Sequence, residues 1–160
     1  MGKKRPRAGA KNLRAAKKPA VGAKPKKQLK RPYQGKPLDA DNPTVVWGFG
    51  LLDLDGEWGW GNLSGAQAKA VLLKCQHWER QTQTEFFKGG KKGNKRIPLE
   101  NLSPKAQGRL RKIERDDLDE LWEIHVSGLQ RIWGTRLGHV FYLLWWDPEH
   151  TVCPSTKTRN

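Results

Sequence analysis

The chain has 160 residues, 31 Lys and Arg against 16 Asp and Glu, and a formal net charge of +15, so one domain with a polyanionic partner is expected. Cys75 and Cys153 are too few for a disulfide framework and too far apart for a metal pair, which excludes a disulfide-stapled secreted scaffold and a cysteine zinc site. With no secretory signal at the basic start and no apolar run near the roughly 18 residues of a membrane span, the expectation is a cytoplasmic protein with no membrane, metal or cofactor.

The charge is unevenly placed. Residues 1–38 hold 14 Lys and Arg and no acidic residue, while the rest of the chain carries 17 basic and 16 acidic residues. A segment of Lys, Ala, Pro and Gly cannot bury enough apolar surface to offset its ordering entropy, so residues 1–40 read as a disordered tail. Its cations, among them Lys3, Lys4, Arg5, Arg7, Lys17, Lys18, Lys26, Lys27, Lys30 and Arg31, suit sequence-independent contact with RNA or DNA phosphates. A domain is expected over 41–154, followed by a short tail over 155–160.

Residues 44–54, TVVWGFGLLDL, predict a strand from their β-branched and aromatic content, and Asp55-Gly56 predicts a tight turn after it. Trp58 and Trp60 alternate with glycine. They suit stacking on bases or, as such residues are more commonly used, lidding a small core. Ser64 and Gln67 have capping-box spacing and open a helix to about Arg80, with Val71, Leu72, Cys75 and Trp78 on one face. Thr82 or Thr84 caps a short turn bearing Phe86 and Phe87. The glycine-rich run that follows, with Lys91, Lys92, Lys95 and Arg96, predicts a mobile basic loop that either contacts a nucleic-acid backbone or is simply solvated. Ser103-Pro104 then starts a helix to about Arg115, with Ala106, Leu110 and Ile113 as its apolar stripe.

From residue 119 the pattern is a four-strand antiparallel meander, 119–127, 130–136, 139–147 and 150–154. Turns at Gly128-Leu129, Leu137-Gly138 and Pro148-Glu149 would oppose Ser127 to Gln130, Arg136 to His139 and Asp147 to His150. Alternation then gives a core face with Trp122, Ile124, Val126, Trp133, Val140, Tyr142, Leu144 and Trp146, covered by the helices. Glu123, His125, Arg136, His139, Asp147 and His150 would share an open face with Phe141, Leu143 and Trp145. His139 and His150 lie roughly 26 Å apart along such a strand, which disfavours a three-histidine metal site. The fold class expected is α+β, a small antiparallel sheet packed by about two helices.

The segments Glu120-Leu-Trp-Glu-Ile-His-Val-Ser-Gly128, Arg131-Ile-Trp-Gly, His139-Val-Phe-Tyr-Leu-Leu-Trp-Trp and Asp-Pro-Glu-His150 resemble the C-terminal sheet of RelE/ParE-like toxins. That resemblance covers about residues 44–154 and implies, for the RelE branch, metal-independent cleavage of mRNA on the ribosome and an antitoxin partner. The ParE branch instead inhibits gyrase. By position, Glu120, Arg131 and His150 match the family's acid–base and arginine positions. The register above places Arg131 on the core face near Trp133, which a bulge would have to correct. No tyrosine follows His150 where the family has a catalytic one, so Arg136 and His139 are reserve candidates. The competing reading is a non-enzymatic nucleic-acid-binding protein, with affinity from the tail and protein contact through the sheet.

Overall fold

Capping and turn chemistry set most element boundaries. In a computed structural model, residues 40–88 and 93–154 are described; the basic residues from Lys3 to Arg31, together with Lys91, Lys92 and residues 155–160, lie outside the described residues. The elements are β1 (Val46–Gly48), α1 (Gly65–Trp78), α2 (Gln83–Phe86), β2 (Lys95–Pro98), α3 (Pro104–Lys112), β3 (Glu120–Ser127), β4 (Gln130–Leu137) and β5 (Val140–Asp147). Ser64 with Gln67, and Thr82 with Glu85, form reciprocal capping boxes at the starts of α1 and α2. Ser103 caps α3, and Pro104 occupies its first turn.

The sheet is mixed, with strand order β1-β5-β4-β3-β2. β1 runs parallel to β5 and the remaining pairs are antiparallel. The α+β class therefore holds, but the sheet expected to be antiparallel is mixed, a third helix is present, and several local expectations change. The strand expected over 44–54 shortens to three residues, because the chain turns after Gly48, where the Leu52 amide donates to the Phe49 carbonyl at 3.3 Å, and the Asp53 amide then donates to the Leu144 carbonyl at 3.1 Å. Part of the expected basic loop is instead β2, where Ile97 pairs with Leu121 and anchors the segment in a core. The expected strand at 150–154 is absent. The Asp147 carboxylate accepts the amides of Thr151 and Val152, both at 3.0 Å, and His150 takes φ of 59°, so the chain turns under the sheet.

Two bulges change the faces. Ser127 does oppose Gln130, but His125 opposes Arg131, leaving Val126 as an extra residue in β3. Farther on, Trp133 opposes Trp145 and Gly134 opposes Leu143, so Leu144 is extra in β5. The last hairpin turns through Gly138-His139, with φ of 60° at Gly138, so Arg136 faces Phe141 and not His139. A bulge shifts alternation by one. Trp133 accordingly leaves the face of Trp122 and Ile124.

Both faces of the sheet are buried, and the expected open polar face is not found. On one, Trp122, Ile124, Ile132, Phe141, Leu143 and Trp146 pack against Val71, Cys75 and Trp78 of α1 and Phe86 of α2. On the other, Leu121, Trp133, Leu144 and Trp145 pack against Leu102, Ala106 and Leu110, with Trp58 and Val152 closing the edge. Trp58 is 3% exposed and lids this second core. Leu72, expected on the inner face of α1, is 60% exposed. Burial pushes the Cys75 thiol up to about 12. Among the described residues no helix is long and apolar enough to cross a membrane.

Asp53 links α3 to this second core. Its carboxylate accepts Arg109 Nε at 2.7 Å, Arg109 Nη2 at 2.6 Å and the Trp145 indole at 2.9 Å. Burial acts to raise the Asp53 carboxyl, but the bonds from Arg109, Trp145 and the Asp55 amide outweigh it and hold the group below its ordinary 3.8. A carboxyl lowered on folding adds stability above its unfolded pKa, and that stability is lost as pH falls through the folded value. Arg109→Ala leaves a buried carboxylate without its cation, so a loss of about 3–5 kcal/mol is expected near neutral pH. Urea denaturation should show that loss shrinking as pH falls below the ordinary carboxylate range and Asp53 is protonated; a pH-independent loss would contradict the ion-pair account.

Candidate nucleic-acid interface

The charged residues singled out by the sequence fall into two groups on opposite faces and at opposite ends of β4. The first group is internally neutralised. The β3 bulge brings Arg131 onto the face of Glu123, where its Nε donates to Glu123 Oε1 at 2.8 Å. Its Nη1 donates to the carbonyls of Gly128 and Gln130 at 2.8 and 3.0 Å. His150 Nε2 lies 3.6 Å from Glu123 Oε2, an ion-pair distance longer than a hydrogen bond, and is itself shielded from solvent. Glu123 is 7% exposed, so Arg131 meets a buried carboxylate and not an open surface. The structure brings Arg131 and His150 together through Glu123, which was expected on the open face and is instead buried. Asp147, fully buried, is occupied by the Trp133 indole at 3.3 Å and by Thr151 and Val152.

The second group surrounds Arg136. This residue lies five positions along β4 from Arg131, roughly 17 Å at strand rise, so the two cannot share one phosphate. Arg136 shares a face with Trp122, whose register partners are Gly134 on β4 and Arg96 on β2. Continuing that register brings Glu120 opposite Arg136. Phe87, Asn94, Lys95, Arg96, Trp122 and Arg136 line a cleft of about 620 Å³. Lys95 opposes Glu123, so its side chain belongs by register to the other face. The cations whose side chains share the face of Trp122 are therefore Arg96 and Arg136.

The Arg136 guanidinium is held from several sides. Its Nε donates to the Gly138 carbonyl at 2.6 Å and its Nη2 to Gln83 Oε1 at 3.0 Å. Its Cζ lies 4.1 Å from the Phe87 ring centroid and 5.9 Å from that of Trp122. Both polar acceptors are neutral, and among the described residues no carboxylate forms an ion pair with it. Burial first, and the positive charge of Arg96 second, push this guanidinium below its ordinary pKa. A guanidinium still stays protonated, with five N–H donors, of which two are used here. Glu120 sits at the rim, its Oε1 3.5 Å from Arg96 Nη1, with both side chains substantially exposed.

His139 contributes its carbonyl to the Val46 amide at 3.1 Å and sits in the turn beside Arg136. Asn94 braces the floor, donating to the Phe86 carbonyl at 2.7 Å and accepting the His125 amide at 3.3 Å. Of the sequence candidates, Glu120, Arg136 and Arg96 are brought together, while Arg131 and His150 form a separate buried cluster. Gln83 and Phe87 carried no sequence signal for this role, because they reach Arg136 only through the docking of α2 on the sheet. Compared with family models, curated proteins and solved structures, the chain matches none of them.

Arg131→Ala should act on stability, since it leaves Glu123 buried beside a weak partner. The expected loss is about 3 kcal/mol or more, much of it recovered in the Glu123→Gln/Arg131→Met double variant, as a thermodynamic cycle by urea denaturation would show. Unchanged stability in Arg131→Ala would contradict a buried structural pair.

Proposed function

We propose that this domain acts on RNA, with a backbone phosphate held in the cleft by Arg136 and Arg96. The observation that carries the reading is the Arg136 guanidinium: partly buried, fixed by Gln83 and Gly138, and matched by no carboxylate among the described residues. A desolvated cation is stabilised by an anion that shares its geometry, and a phosphate can accept paired N–H donors from one guanidinium. Phe87 holds the planar group from one side, so little further ordering is needed when the anion arrives.

Glu120 favours a catalytic extension of this reading, in line with the RelE-like resemblance. A carboxylate at the rim of a two-arginine site can accept the proton of a 2′-hydroxyl as its oxygen bonds to the adjacent phosphorus. The bond from phosphorus to the 5′-oxygen then breaks, and the departing oxygen takes a proton from solvent. Arg136 and Arg96 would hold the charge that grows on the phosphoryl oxygens, leaving a cyclic phosphate and a free 5′-hydroxyl. In this reading the protein is a RelE-like toxin or toxin-derived ribonuclease in the cytoplasm. Ribosome association and an antitoxin follow from that resemblance. The charge of residues 1–38 favours a second reading, non-enzymatic nucleic-acid binding with affinity supplied by the tail.

Arg136→Gln is expected to weaken binding of single-stranded RNA about tenfold or more and to lower the slope of log affinity against log salt by about 1. Fluorescence anisotropy across a salt series measures both, and wild-type behaviour of the variant would remove the phosphate-site reading. Glu120→Gln is expected to keep binding while slowing RNA cleavage about 10²- to 10⁴-fold. A gel assay on end-labelled RNA decides this: cleavage at the wild-type rate excludes Glu120 as the base, and wild-type binding with no cleavage selects the non-enzymatic reading.

A further inference from the structure

The cleft opens onto a sheet edge. β2 is the terminal strand, and its Lys95 and Arg96 are both exposed while alternating between faces. Arg96 lies opposite Trp122 on the cleft side, and Lys95 lies opposite Glu123 on the far side. The Cys153 thiol, which packs against the core on that side, is pushed up by burial and by the Glu123 charge, with the Lys95 charge acting against them. Glu123 is already engaged by Arg131, and Lys95 makes no ion pair among the described residues. Charges on an edge strand also prevent edge-to-edge pairing of sheets. That role does not account for Arg136, an arginine two strands inward in the same cleft that forms no ion pair among the described residues.

We infer that the polynucleotide runs from the cleft over the β2 edge, with Lys95 as a phosphate contact on the far face. This rests on the phosphate-site reading of Arg136. Arg136 and Arg96 stand on strands flanking β3, so their backbones are separated by roughly 10 Å, two strand spacings. From Arg96 to Lys95 is a single residue along β2, but the side chains leave in opposite directions. A strand touching all three must reverse its course around a sheet edge within a few nucleotides. A duplex, with a persistence length of about 50 nm, cannot follow that path, so the ligand is single-stranded.

The test uses the full chain, as wild type, Arg136→Gln and Lys95→Gln, with anisotropy of a dinucleotide and of a strand about eight nucleotides long. RNA bearing 2′-O-methyl groups serves as ligand, since it cannot undergo 2′-hydroxyl attack, and DNA of equal length forms the second arm. Arg136→Gln is expected to weaken both lengths. Lys95→Gln is expected to weaken only the longer strand, about threefold to tenfold, with a salt slope lower by about 1. RNA and DNA should lose the same amount, because this path reads phosphate and not the 2′-oxygen. If Arg136→Gln weakens binding and Lys95→Gln does nothing at either length, the path over the edge is wrong and the cleft stands. An equal effect of Lys95→Gln on a duplex, or a DNA strand indifferent to it, also overturns the path. If Arg136→Gln has no effect on either ligand, the phosphate site fails and this inference fails with it.

Discussion

The extra residue in β5 determines what each face of the sheet can hold. Gly134 pairs with Leu143 and Trp133 with Trp145, so Leu144 has no opposite number. Phe141 and Leu143 therefore pack under α1 and α2, while Leu144 and Trp145 both join the core under α3. The Leu144 carbonyl, released from the regular ladder, accepts the Asp53 amide and the Trp60 indole, each at 3.1 Å. Asp53 is thereby fixed where its carboxylate can bind Arg109 and Trp145. Gly134 permits the close approach, because a Cβ there would meet the Tyr142 carbonyl oxygen and the Phe141 ring. One inserted residue thus connects the sheet, the loop before α1 and helix α3.

Charge is carefully matched inside this arrangement. Asp53 faces Arg109, Glu123 faces Arg131, and Asp147 is surrounded by amide, hydroxyl and indole donors. Each buried carboxylate has fixed donors, as its desolvation demands. Arg136 departs from this economy, since its partners Gln83 and Gly138 supply oxygen atoms without negative charge. A carboxylate in place of the Gln83 amide would complete an internal pair and compete with any incoming anion. The amide positions the guanidinium and leaves its charge available.

The sequence made the local signals legible and left the long-range ones hidden. Ser64 with Gln67 and Ser103 with Pro104 gave correct helix starts, and of the two residues expected to cap a short turn Thr82 caps a short helix, because a cap is specified by residues within one turn. Gly128 likewise fixed the Ser127–Gln130 closure. The bulges at Val126 and Leu144 carry no such mark, since both are ordinary strand residues whose extra position is decided by packing across two cores. Uncorrected, they reverse the predicted face of Trp133 and hide the burial of the supposed open face. β2 was concealed by its neighbours, since the glycines and lysines before it dominate the composition while Ile97 alone supplies the apolar anchor. Glu120 and Arg136 were both named from the sequence, but their common site depends on a register that hairpin rules alone did not provide.

A sheet covered on both faces has few places left for a ligand. Its buried carboxylates, Asp53, Glu123 and Asp147, are already engaged by internal donors, which leaves the strand ends and edges as the places where charge is open to a ligand. At the β1 edge, Val45 donates to the Gln81 carbonyl and Thr44 bridges Thr82, which occupies the start of that short strand. At the β2 edge the exposed residues are Lys95 and Arg96, and the adjoining cleft contains Arg136. The two edges therefore differ in kind, one partly closed by backbone pairing and the other carrying positive charge on both faces. Electrostatic attraction acts over about 8–10 Å at physiological salt, comparable to the two strand spacings between the Arg96 and Arg136 backbones. An anion in the cleft would lie within range of both guanidinium groups, and the fixed guanidinium of Arg136 would supply the geometry that a mobile lysine cannot.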